Sequence, residues 1–218
     1  MRALSLYRDH PLGVRIHTAL RAWSAPLDAV VGALPAQGSL LDVGCGHGLV
    51  ANEAALRNPG GRVLGIDVSL GKIRAAQATM GSRPNIEFRA TSLEALEESG
   101  FDAVALIDVL YLVPAAQWAS FLKACVGRLR PGGTFVLKEI ATEPRWKFER
   151  LKLQEFISTR VVGITQGDTM HFESEDGLKR RLVDSGLSDI QVRRLDAGFA
   201  SPHVLLTGKR PQPAGATA

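Results

Sequence analysis

A short apolar run, Ser39-Leu40-Leu41-Asp42-Val43, leads directly into Gly44-Cys45-Gly46-His47-Gly48 and then into Leu49-Val50-Ala51. A strand that ends in alternating glycines and restarts as a helix commits this part of the chain to a βα unit. Further β-rich runs follow at Arg62–Asp67, Ile86–Ala90, Phe101–Ile107 and Thr134–Lys138, with helical stretches between them. That alternation predicts a doubly wound α/β fold on a mostly parallel sheet. The near-continuous apolar run Phe101–Ile107 is what a strand covered on both faces requires. Ser69, Pro114 and Ser174 mark helix starts, and Pro131-Gly132-Gly133 reads as the turn that launches the fifth strand. The last two strands are expected at Ile190–Asp196 and Val204–Gly208.

Glycine at 44, 46 and 48 lets backbone amides approach a ligand closely, and the new helix N-terminus favours negative charge. A dinucleotide fingerprint G-x-G-x-x-G needs its third glycine at position 49, where this chain has Leu49; the third glycine comes one residue early. Asp67 closes the second strand 23 positions after Gly44. A carboxylate there accepts both hydroxyls of an adenosine ribose, as in NAD and S-adenosylmethionine sites.

Asp42-Val43-Gly44-Cys45-Gly46-His47-Gly48, Gly65-Ile66-Asp67-Val68-Ser69, Phe101-Asp102-Ala103-Val104 and Leu129-Arg130-Pro131-Gly132-Gly133 together resemble the ordered motifs of class I S-adenosylmethionine-dependent methyltransferases. The resemblance spans about residues 38–140. It implies a seven-stranded sheet with an antiparallel final strand and S-adenosylmethionine across its C-terminal edge. By position, Asp42, Gly44, Cys45, Gly46 and Gly48 would cradle the methionine portion. Asp67 would hold the ribose, and Val68 would pack on adenine. The acidic residue that the family places after its third strand is Ser92 here, which leaves the Leu93 amide for the ring. Asp108, after the fourth strand, would face donor and acceptor.

Methyl transfer by in-line displacement asks mostly for placement, so an obvious catalytic triad is not needed. A base is required only where the acceptor must lose a proton. His171, in the segment after the fifth strand, is the candidate, being near its pKa at cellular pH. Tyr111 and Glu139 follow the fourth and fifth strands and are expected at the acceptor. Cys45 and His47 are read as shaping the loop. His10, His17 and His203 lack acidic or cysteine companions at ligand spacing, so no metal is expected.

The domain is expected over 1–210, with a helical cap at 1–35 broken at Pro26, a substrate-side insertion at 140–173 and a frayed tail at 211–218. Residues 145–164 read as a lid helix lying between core and ligand or between subunits of a homodimer. Trp146 falls on one apolar side and Phe148 on the other, with Arg145, Lys147, Arg150 and Lys152 as a solvated basic face. The net charge of +4 is a weak field. Asp108-Val109-Leu110-Tyr111 differs from the Asn/Asp-Pro-Pro-Tyr of amino-directed nucleic-acid enzymes. A small-molecule acceptor is therefore expected in place of nucleic acid, and His171 with the basic insertion points to oxygen as the atom methylated. An RNA methyltransferase and a catalytically silent cofactor-binding adaptor are the alternatives. With two cysteines outside any CxxC pair, no signal-peptide core and no membrane-length apolar run, the chain is expected in the cytoplasm.

Overall fold

The computed structural model describes residues 1–149 and 171–213. In chain order the elements are α1 (Leu12–Ser24), α2 (Leu27–Ala33), β1 (Ser39–Val43), α3 (Leu49–Arg57), β2 (Arg62–Asp67), α4 (Leu70–Ala78), β3 (Ile86–Ala90), β4 (Phe101–Ile107), α5 (Trp118–Gly127), β5 (Leu129–Ile140), α6 (Glu175–Asp184), β6 (Ser188–Arg194) and β7 (His203–Lys209). The seven strands form one sheet in the order β3-β2-β1-β4-β5-β7-β6. β1 to β5 pair in parallel, and β7 runs antiparallel to both neighbours. This is the seven-stranded class I methyltransferase fold.

The strands' two-residue period sorts the core into two layers. Leu41, Val43, Leu64, Ile66, Val104 and Leu106 face α5 and α6, where Trp118, Leu122 and Leu182 meet them. Leu40, Val63, Ala103, Ala105 and Ile107 face the other way, against α2, α3 and α4 through Val30, Val50, Ala54 and Ile73. Sequence order reverses about β1, whose neighbours are β2 and β4. The crevice beyond the carboxyl ends of those strands is where an open α/β sheet binds ligands.

Two boundaries and one helix cap differ from the sequence reading. Pro131-Gly132-Gly133 lies within β5 as an irregularity opposite Phe101–Ala103, because the Gly132 amide is satisfied by the Arg210 carbonyl at 2.8 Å. β6 starts at Ser188 and ends at Arg194; Asp189 adopts φ +52° inside a register shift, and Ser188 before it pairs with Lys209 of β7. Ser69 is the N-cap residue of α4 without a side-chain cap bond; Asp67 Oδ1 instead accepts from the Ser69 amide at 2.8 Å. Ser174 does cap α6, accepting from the Gly177 amide at 3.0 Å.

The chain breaks between α1 and α2 at Pro26, and a 3-10 turn at Arg2–Tyr7 precedes them. The Ala3 amide donates to Glu53 Oε2 at 2.8 Å, and Tyr7 Oη donates to the His47 carbonyl at 2.7 Å. The N-terminal segment thus grips α3 and the glycine loop. Residues 145–149 are helical; the remainder of the expected lid helix and of its basic run lies outside the described residues. Within the described part, Phe148 is buried and edge-on to Phe172, while Trp146 is exposed. Lys147 is not on a solvated face: it is buried and paired with Asp196 at 2.9 Å.

Candidate functional site

The end of β1 turns sharply at the glycine loop. Gly48 (φ +81°) N-caps α3, and a Cβ there would lie 2.6 Å from Phe88 Cζ, so glycine is what lets α3 approach β3. Gly46 (φ +56°) has a different reason: a Cβ would meet nothing within 4 Å, because that side of the loop faces open space. The Cys45 amide donates to the Ile66 carbonyl at 2.9 Å and the Gly46 amide to Asp67 Oδ2 at 2.9 Å, which binds the loop to the end of β2.

That open space is a cavity of about 470 Å³. Its size falls in the ~300–1,000 Å³ range of small-molecule sites. Asp42, Gly44, Cys45, Gly46, Asp67, Val68, Ser92, Leu93 and Asp108 all line it; Gly48 does not, being spent on packing. Val68 stands 78% exposed on its wall, an apolar surface left for a flat ligand. Ser92 Oγ accepts from the Ala95 amide at 3.3 Å and so closes the turn after β3. Burial pushes the Asp42 carboxyl up to about 7, with Asp67 adding to the effect. Asp42 Oδ2 has no partner among the described residues, an orphaned acceptor at the cavity wall.

The three residues expected at the acceptor are placed differently from one another. Tyr111 lines the cavity, with Phe172 stacked on it at 5.8 Å between ring centroids. His171 is not among the lining residues; its amide donates to the Tyr111 carbonyl at 3.1 Å, so its visible part is to fix that backbone. Glu139 is buried behind the wall. Its Oε1 accepts from the Val109 and Leu110 amides at 3.1 and 2.8 Å, which holds the turn after β4. Burial first, and then the Asp108 charge, push its carboxyl up to about 8.

Asp108 takes φ +56°, the left-handed region that aspartate tolerates better than most residues. Lys138 Nζ reaches both its oxygens at 2.6 Å, and Arg21 Nη2 reaches Oδ2 at 2.5 Å. Burial alone would push the Asp108 carboxyl up; the two cations outweigh it and hold the group below the usual carboxylate range. His203 is drawn down to about 4 by burial and by Lys138, and stays neutral beside them.

Sequence reasoning weighed His17 only as a metal ligand and passed over Thr18 and Arg21; all three belong to α1 and line the cavity together with His47. The rings of His17 and His47 lie 4.8 Å apart, and burial and neighbouring cations lower both pKa values. Nothing in the spacing of residues 17, 21 and 47 points to a shared site. The one available signal was Lys138, a cation that follows the apolar run Phe135-Val136-Leu137 of β5 and needs a partner if buried.

A family model described as a methyltransferase domain matches residues 40–133, which carry the glycine loop, Asp67 and Asp108. Over that segment the chain is similar to S-adenosylmethionine-dependent methyltransferases of class I. Among curated methyltransferase relatives, a ubiquinone biosynthesis O-methyltransferase of Paracidovorax citrulli (strain AAC00-1) is 39% identical over 108 residues, covering 47% of this chain and 44% of that protein. The chain spans under half the length of such relatives. Among solved methyltransferase structures, an O-methyltransferase family protein from Burkholderia thailandensis superposes with a TM-score of 0.71 at 20% identity, covering 95% of this chain and 62% of that one. Human N-acetylserotonin methyltransferase, solved in complex with S-adenosylmethionine, gives 0.68 at 18% identity, covering 95% and 58%. At such identities the likeness is one of fold.

Proposed function

We propose that this methyltransferase moves a methyl group from S-adenosylmethionine to an oxygen of a small organic acceptor. The observation that carries the reading is one cavity lined by Asp67, Val68 and the open side of Gly46 together with Tyr111, His17 and Arg21. The residues present fit the cofactor. Asp67 already accepts two backbone amides, yet a carboxylate has about four lone-pair sites, so it retains capacity for a sugar diol. Val68 offers the apolar face for adenine, and Ser92 and Leu93 border its edge. The orphaned oxygen of Asp42 and the glycine loop suit the amino-acid portion.

When bound, S-adenosylmethionine supplies a sulfonium methyl already activated for displacement by an oxygen nucleophile. The chain's own work is placement and proton removal. Aligning the partners at ~3–3.5 Å accounts for up to ~7–11 kcal/mol of barrier in favourable cases. Tyr111 contacts the acceptor. His17 and His47, kept neutral on the cavity wall, are the groups able to accept the hydroxyl proton, the part the sequence reading gave to His171. Nucleic acid stays outside the proposal on the Asp108–Tyr111 sequence, and the two free cysteines, Cys45 and Cys125, suit a cytoplasmic setting. Ubiquinone biosynthesis, named for the relatives, makes phenols the first acceptors to try.

The test is calorimetry with S-adenosylmethionine, followed by turnover on phenols, carboxylic acids and amines. Cofactor binding with phenol methylation supports the reading. Binding with no turnover on any of these classes would overturn it in favour of an adaptor.

A further inference from the structure

Helix α1 has two faces that do opposite jobs. At about 100° per residue, Val14, His17, Thr18 and Arg21 fall together on one side. Thr18 is buried there, and His17, Thr18 and Arg21 line the cavity. Diametrically opposite lie Leu12, Ile16, Ala19, Leu20 and Trp23. Leu12 is 66% exposed, Ile16 50%, Leu20 56% and Trp23 80%, so the apolar stripe of this helix points into solvent. Leu112, on the cavity lining, is 58% exposed as well.

Charge says what suits this stripe. Residues 1–27 contain Arg2, Arg8, Arg15 and Arg21 against a single acid, Asp9. Arg8 and Arg15 are exposed, and Arg15 flanks the stripe. An apolar face with a terminal tryptophan, Arg15 at its border and Arg8 just ahead of the helix is the pattern of a helix lying in a lipid interface. No helix among the described residues is long and apolar enough to cross a membrane. The four large side chains expose on the order of 500 Å², near the top of the range for a monomer's largest patch. That is short of the ~800 Å² per partner of a standard protein interface.

We propose that α1 docks this protein on an anionic phospholipid surface through Leu12, Ile16, Leu20 and Trp23, with Arg8 and Arg15 meeting the headgroups. Because the opposite face of the same helix walls the cavity, docking sets that wall of the cavity towards the bilayer, where a lipophilic acceptor would be held. The surface itself stands apart from the methyl-transfer reading; only the choice of acceptor rests on it.

The full chain is mixed with vesicles of phosphatidylcholine alone or with about a third phosphatidylglycerol, and the floated fraction is measured. Wild-type protein is expected to float with the anionic vesicles and only weakly with the neutral ones. Leu20→Glu/Trp23→Glu is expected to lower partitioning at least about tenfold, while calorimetric affinity for S-adenosylmethionine holds. The emission of wild-type protein should shift to the blue on vesicle addition, and that component should vanish in Trp23→Phe. This second readout stands even where the double variant folds poorly. Absence of flotation, flotation undiminished in the double variant, or a dimer in light scattering that Leu20→Glu splits would each overturn the proposal; the last would make the stripe a contact between copies. Loss of S-adenosylmethionine binding by wild-type protein that still floats would sink the methyl-transfer reading alone.

Discussion

Replacing Lys138 by methionine removes a wholly buried cation from a wholly buried anion. Nζ lies 2.6 Å from both oxygens of Asp108, with neither side chain more than 2% exposed. Breaking a buried pair by deleting one partner typically costs ~3–5 kcal/mol, because the other charge is left without compensation. Arg21 still reaches Asp108 Oδ2 at 2.5 Å and is itself a third exposed, so the lower end applies, about 3 kcal/mol. For a chain of this size that is a fall in Tm of roughly 6–12 °C. The double change Lys138→Met/Asp108→Asn removes both buried charges and keeps a residue that tolerates φ +56°. It should lose clearly less than the sum of the two single changes, with a coupling of ~1–3 kcal/mol. Circular dichroism melts and urea titrations measure all three variants. A fall below about 2 °C for Lys138→Met, or strict additivity in the cycle, would refute the idea that this pair holds the end of β4 in place.

Asp67→Ala should weaken S-adenosylmethionine binding about 10–150-fold, the loss of one charged acceptor at ~1.5–3 kcal/mol; calorimetry that shows an unchanged Kd removes the ribose assignment. Gly48→Ala should lower stability by more than the ~1–2 kcal/mol of a left-handed non-glycine residue, because its Cβ would meet Phe88 at 2.6 Å; an unshifted urea midpoint argues against that packing. Glu139 carries a carboxyl raised to about 8, so between the unfolded value near 4 and that pH the folded state holds a proton that the unfolded chain has lost. Its contribution is complete at low pH and fades as pH rises towards 8. His203, lowered to about 4, acts in the opposite sense but only below its unfolded value near 6.5. From pH 6.5 to 8 wild-type stability should therefore fall, with Glu139 supplying roughly 1–2 kcal/mol of it, and Glu139→Gln should flatten that slope in urea titrations. His171→Ala should spare turnover the 10²–10⁴-fold loss that follows removal of a general base, whereas His17→Ala and His47→Ala should show it between them. A His171 variant with that full loss would restore the original assignment.

The part of the cavity proposed for the cofactor was legible in residue order because it is built from one contiguous loop and the residues that close β2, β3 and β4. Asp42, Gly44, Gly46, Asp67 and Val68 all reach the same crevice when parallel strands put their carboxyl ends together. Glycine spacing and strand period are local properties, and locality is what a sequence displays. The part proposed for the acceptor obeys no such rule. Glu139 has the right place at a strand end, but its side chain turns inward to the Val109 and Leu110 amides. His171 meets Tyr111 through its backbone amide. Arg21 and Lys138 are 117 positions apart in the chain and converge on one carboxylate. That convergence depends on how α1 is laid across the sheet edge, which Tyr7 and Glu53 help to fix by hydrogen bonds spanning 40 and 50 residues. Period and punctuation along the chain determined the strands, their parallel βα connections and the glycine loop that enters the cavity. Long-range packing alone decided which charges share the interior and which apolar face of α1 was left to the solvent.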